Sequence, residues 1–147
     1  MYLSDDMKDL LRIFNRNQVS YAVCGGFAVA SHGFVRMTLD LDLLIDPSPE
    51  NAANVLKSLE EFGFGSAGIE LRHLTAPSTA ITLGMQPNQI DLLTKMSSAP
   101  TADVLSRAGE TLLEDLPVPI VSKADLILAK REANRPKDRI DLEELQS

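Results

Sequence analysis

The stretch that decides the fold is YAVCGGFAVASHGFVRMTLDLDLLID, Tyr21 to Asp46. The apolar run Val19 to Cys24 reads as a short buried strand. Gly25-Gly26 ends it before a compact helix over Phe27 to His32, which Gly33 closes. From Met37 the period changes to two. Met37, Leu39, Leu41, Leu43 and Ile45 fall on one face of a half-buried strand, and Thr38, Asp40 and Asp42 on the other.

Strand, glycine turn, helix and carboxylate-bearing strand together suggest chemistry. Adjacent glycines at the start of a helix let a phosphate approach bare backbone amides at the positive end of the dipole. Asp40 and Asp42, two apart on a strand, project from one face with backbone positions ~6.7 Å apart. Asp is a poor strand former and like charges on one face repel, so a compensating cation is expected. Mg²⁺ or Mn²⁺ suits carboxylates and substrate phosphates, and a two-ion site needs about three acidic groups. Asp91 is the candidate third: it interrupts the apolar run Ile90, Leu92, Leu93, where an unpaired charge is costly. It can serve only if its strand lies beside the first pair.

Outward from this stretch, Ser4 caps a helix from about Asp5 to about Asn17. Ser48 caps another, with Pro49 in its first turn, Ala52, Val55, Leu56 and Leu59 on its apolar face, and Gly63 and Gly65 at its end. Short apolar runs at Ile69 to Leu74, Ala80 to Leu83 and Gln89 to Thr94 read as consecutive antiparallel strands. Thr111 to Leu113 and Val118 to Val121 suggest edge pairing, since Pro117 and Pro119 confine their segment to a sheet edge or a loop. Ser122 caps a helix through Arg131, and Pro136 opens a last one ending near Gln146. The expected fold is α/β of the α+β type: a mixed, largely antiparallel sheet flanked by helices. It forms one domain over 1–147, with a C-terminal helical extension from about 122.

Composition bounds the function. The chain has 147 residues, 44% hydrophobic and 24% charged, the balance of a folded globular protein with one core. A net charge of −7 disfavours a general nucleic-acid coat. No run approaches the ~18 apolar residues of a membrane span, and the first residues lack the pattern of a secretion signal, so a cytoplasmic location is expected. The single cysteine, Cys24, excludes an internal disulfide and fits that location.

Gly25, Gly26, Asp40, Asp42 and Asp91 together resemble the motif of the nucleotidyltransferase superfamily that includes polymerase beta and the minimal nucleotidyltransferases. That motif has two small residues, a gap of about a dozen, an Asp-hydrophobic-Asp-hydrophobic strand and a later Asp. Residues 21 to 46 are most similar to a small bacterial branch with toxin and abortive-infection members, in which Arg-x-Thr precedes the aspartates; Arg36 and Thr38 fill those places. That branch ends with a Lys, a basic stretch and a Lys-Asp pair before a terminal helix. Lys130, Arg135, Lys137 and Asp138 match it, with Asp141 one turn on.

The resemblance implies metal-dependent transfer of an NMP from an NTP to an acceptor hydroxyl on RNA such as tRNA, on a protein or on a small molecule, with release of pyrophosphate. It gives Asp40, Asp42 and Asp91 the catalytic and metal roles and Gly25, Gly26, Arg36, Thr38 and Lys130 the nucleotide. It also implies a toxin or antitoxin partner. Where many members carry a serine at or beside the second glycine, this chain has Gly26-Phe27, so phosphate contact is expected to rest on backbone amides.

Two rival readings use the same residues. A non-catalytic nucleotide-binding or antitoxin-like regulatory partner would keep the fold without turnover, although three converging carboxylates exceed what a binder needs. An RNA-binding module would use Lys130, Arg131, Arg135, Lys137 and Arg139, five of the 14 basic residues within ten positions. The plainer account of that cluster is a solvated helix end balanced by Glu132, Asp138, Asp141, Glu143 and Glu144. His32 and His73 have no partner at metal-ligand spacing and suit surface or cap roles, and Cys24 suits a small buried hydrophobe. The glycine-rich Gly63 to Gly68 lacks the ending of a P-loop and reads as a loop.

Overall fold

The computed structural model describes residues 3–64 and 68–147. Its elements are α1 (Asp5–Arg16), β1 (Tyr21–Cys24), α2 (Gly25–Ser31), β2 (Leu41–Ile45), α3 (Pro49–Phe62), α4 (Leu71–Thr75), β3 (Ala80–Leu83), β4 (Ile90–Leu93), α5 (Thr101–Ser106), β5 (Gly109–Leu113), β6 (Leu116–Ile120), α6 (Lys123–Ala133) and α7 (Pro136–Gln146). The helix starts follow local chemistry. Ser4, Ser48 and Ser122 each accept a backbone N–H of the first turn, and Gly63 ends α3 in the left-handed region. Gly65, read as a second terminator, and part of the Gly63–Gly68 loop lie outside the described residues.

The six strands form one mixed sheet in the order β3-β4-β2-β1-β6-β5. β1 runs antiparallel to β2, while β2 runs parallel to β4, with Leu41, Asp42, Leu43 and Leu44 opposite Ile90, Asp91, Leu92 and Leu93. Alternation sends Tyr21, Val23, Leu41, Leu43, Ile90 and Leu92 to one face, where they pack with α1 and α3. Ala22, Cys24, Leu44 and Leu93 pack on the other side with α2, α5, α6 and α7. Asp42 and Asp91 have the parity of this second face. No helix among the described residues is long and apolar enough to cross a membrane.

Four details depart from the sequence reading. Ile69 to Leu74 is not a strand; Leu71–Thr75 is a single helical turn with Glu70 and His73 in a capping box and only Leu74 buried. A run this short fits either period, and the cap decides. The runs at Ala80 and Gln89 are strands, antiparallel to each other, but β4 joins the sheet parallel to β2. The aspartate strand begins at Leu41 rather than Met37: β1 ends opposite Asp42, so residues 37–40 have no ladder partner and Met37 stays exposed. Finally, β6 lies inside the sheet despite Pro117 and Pro119. The two prolines, two apart, lose their N–H on the same side of the strand, and pairing with β1 shrinks to Val23 opposite Ile120 while the β5 ladder stays complete.

Candidate active site

Asp42 sits mid-sheet, flanked across the ladders by Cys24 of β1 and Asp91 of β4. Parallel register makes the two aspartates direct neighbours, and strand spacing puts their backbones ~4.8 Å apart. Burial first, then the charge and close approach of Asp91, then the Asp40 charge, push the Asp42 carboxyl up to about 7, against a smaller opposing pull from Lys137. Asp91 also accepts from Thr82 Oγ1 at 2.7 Å and from Gln89 Nε2 at 3.2 Å. Asp40, just before β2 and of the same parity as Asp42, accepts from Gln86 Nε2 at 3.1 Å.

With Asp40 turned to Gln86, no three acidic, cysteine or histidine side chains among the described residues converge as a metal site. One exposed hydrogen bond, worth about 1 kcal/mol net, holds Asp40 aside. A hard divalent cation fits the donor set. Asp42 and Asp91 stand side by side on adjacent strands, a third carboxyl lies two residues away, and burial together with their mutual repulsion raises the Asp42 carboxyl.

The glycine pair is explained by contact. A Cβ on Gly25 would lie 2.0 Å from Asp42 Oδ2, and Gly25 has φ +65°, so both space and backbone require glycine. A Cβ on Gly26 would lie 2.6 Å from Thr38 Oγ1 and 3.4 Å from an Arg36 terminal nitrogen. Cys24 is the N-cap position and α2 begins at Gly25 itself, two residues before the expected start. The turn therefore presses directly on Asp42, Thr38 and Arg36.

The cations have partners that the sequence did not reveal. Arg36 sits in the extended segment before β2, yet its Nε and one terminal nitrogen each donate at 2.9 Å to Asp141 of α7. Lys130 is buried, 3.1 Å from Asp138 and 3.0 Å from Asp141. Arg135 caps α7 and donates to Asp138 at 2.7 Å. Burial alone would raise the Asp138 carboxyl, but hydrogen bonds from Arg135 and Lys130 outweigh it and hold the group at about 2. The C-terminal basic cluster is thus split: Lys130 and Arg135 are ion-paired, Arg139 bonds Asn134, and Lys137 faces the aspartates.

Two adjoining cavities meet over these residues. One, about 410 Å³, is lined by Asp40, Asp42 and Asp91 on one side and by Leu93, Met96, Leu126 and Ala129 on the other. The second, about 260 Å³, has Gly25, Gly26, Arg36 and Thr38 in its wall. Asp40, Asp42, Lys130, Arg135 and Lys137 line both. The structure therefore gathers all eight candidate residues round one double cleft. It adds Asp138, which the sequence showed only as part of the terminal pattern, and Gln86 and Lys95, which had no local signature; Asp141 lies behind Arg36 and Lys130. The histidines lie elsewhere: His32 Nε2 is 2.9 Å from the Val121 carbonyl, and His73 caps α4. Burial and the Asp42 charge push the Cys24 thiol far up, so it stays protonated.

No family model and no curated protein matches the sequence. Solved structures do. A provisionally assigned nucleotidyltransferase from Thermotoga maritima, TM1012, superposes with a TM-score of 0.65 at 15% identity, covering 94% of this chain and 88% of its own. The lincosamide antibiotic adenylyltransferase LnuA, in its lincomycin-bound structure, superposes with a TM-score of 0.58 at 17% identity over 100% of this chain and 99% of its own. At these identities the likeness is one of architecture: the chain shares the fold of these two nucleotidyltransferase structures.

Proposed function

We propose that this protein is a nucleotidyltransferase that moves an NMP from an NTP to an acceptor hydroxyl and releases pyrophosphate. The observation that carries the reading is Asp42 opposite Asp91 on adjacent parallel strands, with Asp40 two residues before. Asp40, Asp42 and Asp91 would hold the divalent ions, Mg²⁺ or Mn²⁺, whose chemistry is to neutralise phosphate charge and lower the pKa of the attacking hydroxyl. Gly25, Gly26, Arg36, Thr38 and Lys130 would hold the triphosphate in the smaller cavity, through the α2 amides and the two cations. Asp91 lines only the larger cavity, so the acceptor hydroxyl belongs there, with Asp91 placed to take its proton. The acceptor oxygen attacks the α-phosphorus, the bond from that phosphorus to the β-bridging oxygen breaks, and pyrophosphate leaves.

The neighbour LnuA, an adenylyltransferase bound to an antibiotic, makes a small-molecule acceptor one candidate beside RNA and protein. A toxin or antitoxin partner and a cytoplasmic setting remain part of this proposal. Incubation with each labelled NTP, Mg²⁺ and total cell extract tests it: label joined covalently to RNA, protein or a small molecule supports transfer. The rival reading, a nucleotide binder without turnover, draws on the turn of Asp40 to Gln86. It predicts retained NTP and no transferred label from any extract fraction.

A further inference from the structure

The buried face of α7 carries Asp138, Asp141 and Leu145 rather than three apolar residues. Asp141 is 1% exposed, yet both its oxygens are taken by cations: Arg36, 105 positions away, and Lys130 of the neighbouring α6. Asp138, fully buried, does the same for Lys130 and Arg135. A network of this kind is a poor source of stability, because desolvating the charges offsets most of their attraction and an apolar face would serve as well. What it does supply is orientation.

The donor inventory of Arg36 shows how. A guanidinium has five N–H donors. Nε and one donor of a terminal nitrogen go to Asp141, and the other terminal nitrogen reaches the Met37 carbonyl at 3.3 Å. Two donors are left, and the group lies against Gly26 at the edge of the smaller cavity. Without Asp141 the side chain, on a segment with no ladder partner, has several rotamers to lose on binding an anion. We infer that Asp141 is a positioning residue: it fixes the Arg36 guanidinium over the Gly26 end of α2 so that its remaining donors meet the triphosphate, and Lys130 in turn fixes Asp141. This deepens the nucleotidyltransferase reading and rests on it. It assigns to the terminal helix a role in nucleotide affinity although no α7 carboxylate faces the nucleotide.

The experiment is calorimetric titration of ATP, GTP, CTP and UTP in turn, with Mg²⁺, into wild type, Asp141→Asn, Arg36→Ala and the double variant, each first checked for a cooperative melt. For the nucleotide that wild type binds most tightly, Asp141→Asn is expected to raise Kd about tenfold, the scale of one charge-assisted hydrogen bond. The double variant should bind no more weakly than Arg36→Ala alone, because Asp141 acts through Arg36. Unchanged affinity in a folded Asp141→Asn, or full additivity in the double variant, overturns the positioning role and leaves the nucleotide site standing. Wild type binding none of the four overturns the nucleotide reading and the positioning role together. Arg36→Lys covers the case in which Asp141→Asn does not fold. It keeps both charges and the pairing with Asp141 but removes the fork, so weakened binding supports the role and wild-type affinity overturns it.

Discussion

Five aspartates fall in two sets with opposite electrostatics, one on the sheet in the cleft and one on α7, where Asp138 lines the cleft and Asp141 lies behind its cations. Asp40, Asp42 and Asp91 stand together with polar donors but no ion-paired cation, Lys137 offsetting them only in part, and the Asp42 carboxyl rises to about 7. Asp138 and Asp141 are more deeply buried, yet each holds two cations, and the Asp138 carboxyl falls to about 2. Burial raises the pKa in both places. The difference lies in the partners, so the α7 acids are already complete and the sheet acids are complementary to a positive charge that the chain itself does not supply.

The comparison breaks first at Asp42. Asp42→Asn keeps the shape and removes a proposed ion ligand, so NMP transfer should fall by about 10³-fold or more, several kcal/mol of lost charge stabilisation. The same variant in EDTA near pH 7 should melt no lower than wild type, because it relieves repulsion with Asp91 and Asp40. A folded variant with wild-type turnover would make Asp42 architectural.

Asp138→Ala should behave in the reverse sense. It leaves Lys130 and Arg135 short of a buried partner, a loss of about 3–5 kcal/mol and a melting point lower by about 10 °C, with or without Mg²⁺. Thermal unfolding read by circular dichroism checks this, and an unchanged melt would remove the distinction between the two sets.

Mg²⁺ and NTP together should raise the melting point of wild type. At concentrations about 100-fold above Kd the stabilisation is about 2.7 kcal/mol, and neither alone should give all of it. The joint increment should vanish in Asp42→Asn. An equal response of both proteins to Mg²⁺ and NTP would place the nucleotide away from the sheet acids.

The pH dependence separates the sets by its sign. In EDTA, Asp42 is raised from 3.8 to about 7, so the folded state holds the extra proton and wild-type stability should fall as pH rises between about 4 and 7. Asp138 is lowered from 3.8 to about 2, so its contribution is present above about pH 4 and is lost as pH falls toward 2. Melting curves across pH should show Asp42→Asn removing the first slope and Asp138→Asn the second. A wild-type slope of one sign throughout would contradict the comparison.

The acidic set was half legible in the sequence. Asp40 and Asp42 share a face because a strand repeats every two residues, and Asp91 drew attention as a charge inside an apolar run. That β4 would pair parallel to β2 with Asp91 at the level of Asp42 has no local signature. The basic set was legible only as residues expected at the nucleotide. That Arg36 would pair with Asp141, 105 positions away, has no local signature, and Lys130 meets the same carboxylate from the neighbouring helix. The basic cluster near the C-terminus, balanced residue for residue by acids, gave no sign of which charges would be buried together. The glycine pair has a reason that the sequence does not carry: phosphate access would explain bare amides, but the Asp42 and Thr38 contacts are what exclude a Cβ.

The sequence by itself determined the local structure: the serine-capped starts of α1, α3 and α6, the proline-opened start of α7, the glycine stop of α3 and the common face of Asp40 and Asp42. Each depends on backbone geometry within a few residues, where hydrogen-bond reach and period leave little choice. Tertiary structure alone decided the interior place of β6, the meeting of Asp42 with Asp91 and the capture of Arg36 and Lys130 by α7. Those outcomes depend on which edges and faces remain open after the core has closed, and closure joins residues that no short-range rule connects.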